Sequence, residues 1–242
     1  MNKLYVVGIG PGDSKHMTIK AKQVLESVDI IIGYKTYIQL IKENFKEKKL
    51  ISFPMRSEVE RCEFAIKKAI DKKVALISSG DAGVYGMAGA LLEISQDANI
   101  EVIPGMTAIQ AAASSLGAPI MHDFAAISLS DLLTDWEIIK KRLKMAAKGD
   151  FVTCLYNPKS KKRIKQIKKA REIFIEQSSK EKIVGIVKNA KRENEEVFIT
   201  NLDNMLNYDI DMSTLVIIGN KDTLVKNNKM ITKRGYNIWF CF

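Results

Sequence analysis

Long apolar runs are missing from this 242-residue chain. No stretch approaches the ~18 consecutive apolar residues of a membrane-spanning helix, which excludes an integral helical membrane protein. Cysteine is scarce: Cys62, Cys154 and Cys241 are scattered and odd in number, a pattern that suggests neither a disulfide framework nor a zinc site. Reduced thiols are expected. No internal repeat and no low-complexity linker breaks the sequence. The first apolar segment begins at Lys3-Leu4-Tyr5-Val6-Val7, leaving no room for a secretory signal, and a cytoplasmic location is expected. With 46% hydrophobic and 27% charged residues, the chain has an ordinary globular composition. Its length suits one large or two small domains with a sizeable core.

Two common nucleotide signatures are also lacking. Leu4 to Val7 read as a strand that enters Gly8-Ile9-Gly10-Pro11-Gly12-Asp13, but the third glycine of a dinucleotide fingerprint falls on Asp13. There is no Gly-Lys-Ser/Thr ending of a P-loop, and Pro11 removes a backbone donor that an anion cradle would use. What remains is a stiff turn at a strand's carboxyl end that presents Pro11 and Asp13.

The most informative stretch is Ser78-Ser79-Gly80-Asp81-Ala82-Gly83-Val84-Tyr85-Gly86-Met87. It lies between the buried-strand pattern Val74-Ala75-Leu76-Ile77 and a helical pattern from Ala88. Ligands of open α/β sheets collect at such strand ends. Glycines there let backbone approach a ligand closely, and Asp81 is suited to accept hydrogen bonds from hydroxyl or amino groups. Pro104-Gly105-Met106-Thr107-Ala108 repeats the pattern after a strand at Ile100 to Ile103. Gly33-Tyr34-Lys35-Thr36-Tyr37 ends another strand with polar side chains.

Elsewhere strand and helix patterns alternate, which predicts an α/β fold with mostly parallel or mixed sheets. Helices are expected over 18–28, 38–48 and 57–73, the last with Val59, Cys62, Ala65, Ile66, Ala69 and Ile70 inward. Gly117-Ala118-Pro119 marks a boundary between domains 1–120 and 121–242. Thr134-Asp135-Trp136-Glu137 reads as a capping box, and Ser160 as the cap of a basic helix. Net charge is +10, but residues 140–192 hold 18 Lys and Arg against 4 acids, so that segment carries +14 and the remainder −4. Such a surplus suits a solvated face or a polyanionic ligand. Nucleic acid is disfavoured, because the basic stretch has no interleaved aromatics for base stacking.

The set of loops resembles the tetrapyrrole methylases, S-adenosylmethionine-dependent enzymes of the cobalamin and sirohaem pathways. Gly8-Ile9-Gly10-Pro11-Gly12-Asp13, Ser79-Gly80-Asp81 and Pro104-Gly105-Met106-Thr107-Ala108 look like that family's three N-terminal signatures, in its order and spacing. Gly33 to Tyr37, Gly80 to Gly89, Gly117-Ala118-Pro119 with His122-Asp123-Phe124, and Ile127 to Leu133 narrow the likeness. So do Leu155-Tyr156-Asn157-Pro158 with Ser160 and Arg163, and Met230-Ile231-Thr232 with Arg234-Gly235-Tyr236. They resemble the branch that methylates C17 of precorrin-3B or cobalt-precorrin-3 with ring contraction. Asp135 and Lys233 stand where proline is common in relatives.

The resemblance implies two α/β domains of class III methyltransferase architecture, with S-adenosyl-L-methionine bound in the cleft between them, and a homodimer. It implies cofactor contacts at Pro11, Ser79, Gly80, Asp81, Val84, Thr107, Ala108, Tyr156 and Ala190. The family's catalytic carboxylate near the end of the second strand is replaced by Tyr34, which becomes a substrate-side residue. The substrate is expected to be an anionic tetrapyrrole, carrying any cobalt itself; no protein metal site and no membrane partner are expected. The Lys-, Ile- and Asn-rich composition fits a low-GC bacterium and inclines the reading toward the cobalt-bearing substrate. For the proton transfers of ring contraction the candidates are His122 and Asp123, with Asp13, Tyr34 and Ser130 expected nearby. Methylation of another tetrapyrrole carbon, or an RNA-binding methylase of the same superfamily, are the alternatives.

Overall fold

A computed structural model describes residues 2–95 and 98–236; Cys241 lies outside the described residues. The chain divides into two units, Met1–Gln110 and Ala111–Phe242.

The first unit is built on β1 (Leu4–Gly8), β2 (Ile30–Tyr34), β3 (Lys49–Phe53), β4 (Val74–Ser78) and β5 (Ile100–Ile103). They pair in the order β3-β2-β4-β1-β5, parallel throughout. Both faces are covered, so the central strands are apolar without alternation. Leu4, Val6, Ile30, Ile32, Val74 and Leu76 point to one side. There they meet α3 (Glu58–Lys68) and α4 (Ala88–Ile94) through Cys62, Ala65, Ala88 and Leu91. Val7, Ile9, Ile31, Ala75, Ile77 and Ile103 point to the other. That side packs on α1 (Ile19–Ser27) and α2 (Lys35–Ile41). Thr18 caps α1 by accepting from the Ala21 amide.

The second unit holds β7 (Phe124–Ser128), β8 (Val152–Tyr156), β9 (Ile183–Lys188), β10 (Glu196–Asn201) and β11 (Thr214–Ile218) in the order β10-β9-β11-β8-β7. Only β7 and β8 run parallel; the other neighbours are antiparallel. One face carries α6 (Trp136–Lys148) and α7 (Lys165–Gln177), whose Ile139, Leu143, Ile167, Ile173 and Phe174 are buried against Leu155, Ile186 and Val216. A small sheet of β12 (Thr223–Lys226), β13 (Lys229–Thr232) and the two-residue β6 (Gly117–Ala118) completes the unit. A Cβ on Gly185 would strike Leu116 and Met230, so β9 is in close contact with β13 of that sheet and with the helix that ends at Leu116. The helix α5 (Ala108–Leu116) contains the point at which the units divide.

Several expected elements are displaced. The second and third helices are shorter than predicted, and Val59 and Ile70 are exposed. The buried position goes instead to Arg61, whose Nη2 donates to Met87 Sδ at 3.2 Å. Asp135, not Thr134, caps α6, accepting from the Glu137 amide at 2.7 Å. Ser160 does not cap α7: its hydroxyl accepts from the Arg163 amide in a turn before the helix begins at Lys165.

Cys62 and Cys154 are buried, and burial pushes their thiols up to about 11 and about 12. The thiolate is the reactive species. Labelling with a thiol reagent at pH 8, followed by peptide mass mapping, is therefore expected to modify neither in the folded protein and both in denaturant.

Candidate active site

Because every strand of the first sheet points the same way, its carboxyl edge gathers the loops after β1, β2, β4 and β5. The order reverses between β4 and β1, the place where open α/β sheets form their crevice. Pro11, Asp13, Tyr34, Ser79, Gly80, Asp81, Val84, Thr107 and Ala108 all fall on this edge.

Three of these loops are locked together. Gly10 and Gly80 exchange backbone hydrogen bonds of 3.0 and 2.7 Å, at φ angles of +67° and +71° that only glycine adopts cheaply. Behind them Gly8 and Gly105 touch backbone to backbone. A Cβ on Gly105 would lie 2.3 Å from the Gly80 carbonyl and 2.5 Å from that of Gly8. Gly80 in turn lies against Thr107 and Ala108. The Thr18 hydroxyl donates to the Pro104 carbonyl, tying the far end of the first loop to the third.

Asp81 works mainly inside this lock. Its Oδ1 accepts from the Gly83 and Val84 amides at 2.7 and 3.2 Å, and its Oδ2 from the Gly105 amide at 2.9 Å. A carboxylate offers about four acceptor positions; among the described residues three are filled by backbone, which leaves one on Oδ2. Beyond Asp81, Val84 and Tyr85 are exposed. Tyr85 has φ +53°, an uncommon conformation for a bulky residue.

Two neighbours complete the edge. Tyr34 ends β2 with its ring edge-on to Tyr37 at 5.2 Å. Asp13 faces His16, a residue that hydropathy and loop composition did not single out. The His16 Nδ1 lies 2.8 and 2.9 Å from the two Asp13 carboxylate oxygens, and the His16 amide donates to Oδ1 at 2.8 Å. The available signal was the Asp-x-x-His spacing within one tight loop.

In the second unit, register fixes which residues share an edge. Ser128 pairs with Tyr156, and Leu155, Val216 and Ile186 lie in one row, so β7, β8 and β9 end on the same side. That edge brings together Ser128, Ser130, Tyr156, Asn157 and the Asn189-Ala190-Lys191 loop. Asn157, Asn189 and Lys191 have φ of +49°, +52° and +57°. The Ala190 loop is braced by Glu195, whose Oε1 accepts from the Lys191 amide and the Ser115 hydroxyl. Beneath Ser130 lies Arg163, 8% exposed. Its Nη2 donates to the Asn157 carbonyl at 2.8 Å and its Nη1 reaches Ser130 Oγ at 3.5 Å. Its buried Nε has no hydrogen-bond partner among the described residues. Burial lowers the Arg163 pKa, and the nearby Asp131 charge opposes the shift.

His122 and Asp123 lie elsewhere. They precede β7, at the end of the strand opposite Ser130, and are 41% and 83% exposed. The Asp123 amide donates to His122 Nδ1, and the Asp123 carbonyl accepts from the Val152 amide. The two residues line a shallow hollow of about 230 Å³ with Asp150, Lys221 and Asp222. The grouping of His122 and Asp123 with Ser130 is therefore corrected: the length of β7 separates them. Among the described residues no cluster of three or more His, Cys, Asp or Glu is arranged to hold a metal ion, and no helix is long and apolar enough to cross a membrane.

The lock makes a direct prediction. Gly105→Ala is expected to lose about 1–3 kcal/mol of stability, the usual cost of overpacking. Gly89→Ala, whose Cβ meets nothing within 4 Å inside α4, is expected to gain about 0.5–1 kcal/mol. Urea unfolding of the two variants beside the parent protein checks both signs.

The loops have counterparts in known proteins. A cobalt-factor III methyltransferase of Priestia megaterium is 49% identical over 97% of this chain, which spans 45% of that longer protein. A probable cobalt-factor III C(17)-methyltransferase of Salmonella typhimurium is 48% identical over 97% of this chain and 100% of its own length. The crystal structure of the methyltransferase CobJ matches with a TM-score of 0.89 and 33% identity, covering 96% of this chain and 100% of that one. The family model of the tetrapyrrole (corrin/porphyrin) methylases matches residues 3–206. With the signature loops of that family interlocked on one sheet edge, the chain belongs to the tetrapyrrole methylase family.

Proposed function

We propose that this protein transfers a methyl group from S-adenosyl-L-methionine to C17 of a precorrin-3-level tetrapyrrole, cobalt-bearing or metal-free, with ring contraction. The observation that carries this reading is the interlocked carboxyl edge of the first sheet, in a chain of which 97% matches the whole length of a probable cobalt-factor III C(17)-methyltransferase.

The residues fit a sulfonium cofactor with amino-acid and adenosine parts. Buried Pro11 and half-buried Ser79, Thr107 and Ala108 offer a mixed apolar and polar lining. Gly83 has open space beyond Asp81, where its Cβ would meet only Oδ1 at 3.3 Å. The spare acceptor position of Asp81 suits one donor of the ligand. Tyr156 and the Ala190 loop are assigned to the same cofactor. Tyr34 is assigned to the substrate side, and Ser130, held over a buried guanidinium, is available to an anionic macrocycle. His122 and Asp123, proposed from sequence for proton transfer, fit that role less well because they stand at the far end of β7.

Methyl transfer asks chiefly for alignment and a dry site. Good positioning supplies about 7–11 kcal/mol toward such a barrier. The lock around Gly8, Gly80 and Gly105 provides a rigid base for it. The protein is further proposed to act in the cytoplasm as a homodimer; light scattering of the purified protein tests the assembly.

Calorimetry is expected to show saturable binding of S-adenosylmethionine. Incubation with labelled cofactor and either cobalt-precorrin-3 or precorrin-3B is expected to give a product one methyl group heavier, with the label on C17 by NMR. No binding in the first experiment, or label on another carbon in the second, overturns the reading.

A further inference from the structure

We propose that His16 is the general base of the methylation and that Asp13 is its positioning residue, an inference that rests on the methyltransferase reading above. A carboxylate only accepts hydrogen bonds, so the Nδ1 flanked by both Asp13 oxygens at 2.8 and 2.9 Å carries the ring proton. In the neutral imidazole Nε2 is then the unprotonated nitrogen. The backbone that carries the ring is fixed as well. The His16 amide donates to Asp13 Oδ1, and the His16 carbonyl lies against Gly10, where a Cβ would approach it to 2.8 Å. The histidine therefore hangs from the same glycine that locks the first loop to the second. Its side chain is 31% exposed, and it follows Pro11 on the carboxyl edge of the sheet.

The chemistry needs such a group. As the methyl–sulfur bond breaks, its electron pair stays on sulfur, and a π pair of the macrocycle forms the new carbon–methyl bond. The positive charge of the donor passes to the macrocycle, which returns to its starting charge by losing one proton. His16 Nε2 takes that proton, and Asp13 stabilises the resulting imidazolium. No oxidant, reductant or metal enters this balance. A base that is oriented by a carboxylate on its other nitrogen is a recurring arrangement in acid–base catalysis. At the neighbouring strand end, β2 offers the phenol of Tyr34 and no carboxylate or imidazole.

The test separates this proposal from the reading beneath it. Wild-type cofactor binding and the mass of the product report on the methyltransferase reading alone. Given an active wild type, His16→Gln is expected to lower kcat by about 10²-fold or more, the usual share of a general base, with KM for both substrates within threefold. His16→Ala is expected to recover turnover when imidazole is added. Without any turnover, 15N NMR of the histidine rings is expected to show His16 as the Nδ1-protonated tautomer in the wild type. In Asp13→Asn, whose amide donates toward the ring, that tautomer is expected to be lost. A His16→Gln enzyme within twofold of wild-type kcat, or a wild-type His16 protonated on Nε2 alone, overturns the proposal, and the NMR result does so even if a variant fails to fold.

Discussion

The meeting of three backbone segments at Gly8, Gly80 and Gly105 is the constraint on which the first unit depends. Side chains cannot enter there: a Cβ on Gly8 or Gly105 would stand 2.3 to 2.7 Å from neighbouring carbonyl oxygens, well inside van der Waals contact. Excluding side chains lets the loops after β1, β4 and β5 share hydrogen bonds directly, as at Gly10 and Gly80, instead of through solvent. Asp81 then fastens what glycine permits. One carboxylate takes amides from its own loop and from the next, which adds a charge-assisted tie to the backbone contacts.

The second unit solves the same problem by other means. Its sheet is mostly antiparallel, and the edge at Ser128, Tyr156 and Ala190 is shaped by residues in the left-handed region and by buried polar side chains. Arg163 supplies a cation beneath Ser130 and Asn157, and Glu195 ties the Ala190 loop to α5. A guanidinium taken out of water needs hydrogen bonds to offset its desolvation, and the Asn157 carbonyl and Ser130 hydroxyl supply them. The turn geometry and the charge therefore hold one another in place.

What could be read from sequence divides along the range of the interactions. Apolar β-branched runs such as Ile30-Ile31-Ile32 and Val74-Ala75-Leu76-Ile77 fix strands locally, and the glycine loops after them were legible for the same reason. The small sheet was not, because β6 pairs with β13 across more than a hundred residues and has only two residues of its own. Arg61 defeated the helix reading: periodicity put Val59 and Ile70 inside, whereas a charged residue bonded to Met87 takes the buried face. Ser160 looked like a cap because its partner amide, that of Arg163, lies three residues on, but the turn they close ends before the helix. His122 was close in sequence to Ser130 and far from it in space, since a five-residue strand at roughly 3.3 Å per residue intervenes.

His16 and Tyr34 stand on opposite sides of the Ser79-Gly80-Asp81 loop, so a base on the β1 side leaves the glycine lock undisturbed. In the sheet order β3-β2-β4-β1-β5, the strand that ends in Tyr34 and the strand that leads to Asp13 and His16 flank β4 on either side. Adjacent strands are about 4.8 Å apart, so the two strand ends stand roughly 10 Å from one another, with the Ser79-Gly80-Asp81 loop between them. A macrocycle presented over that central loop is wide enough to be met from either side. A proton acceptor on the β1 side therefore asks nothing of the glycine lock; it asks only to be oriented. The Asp13 carboxylate, held by a backbone amide in the same turn, gives His16 that orientation.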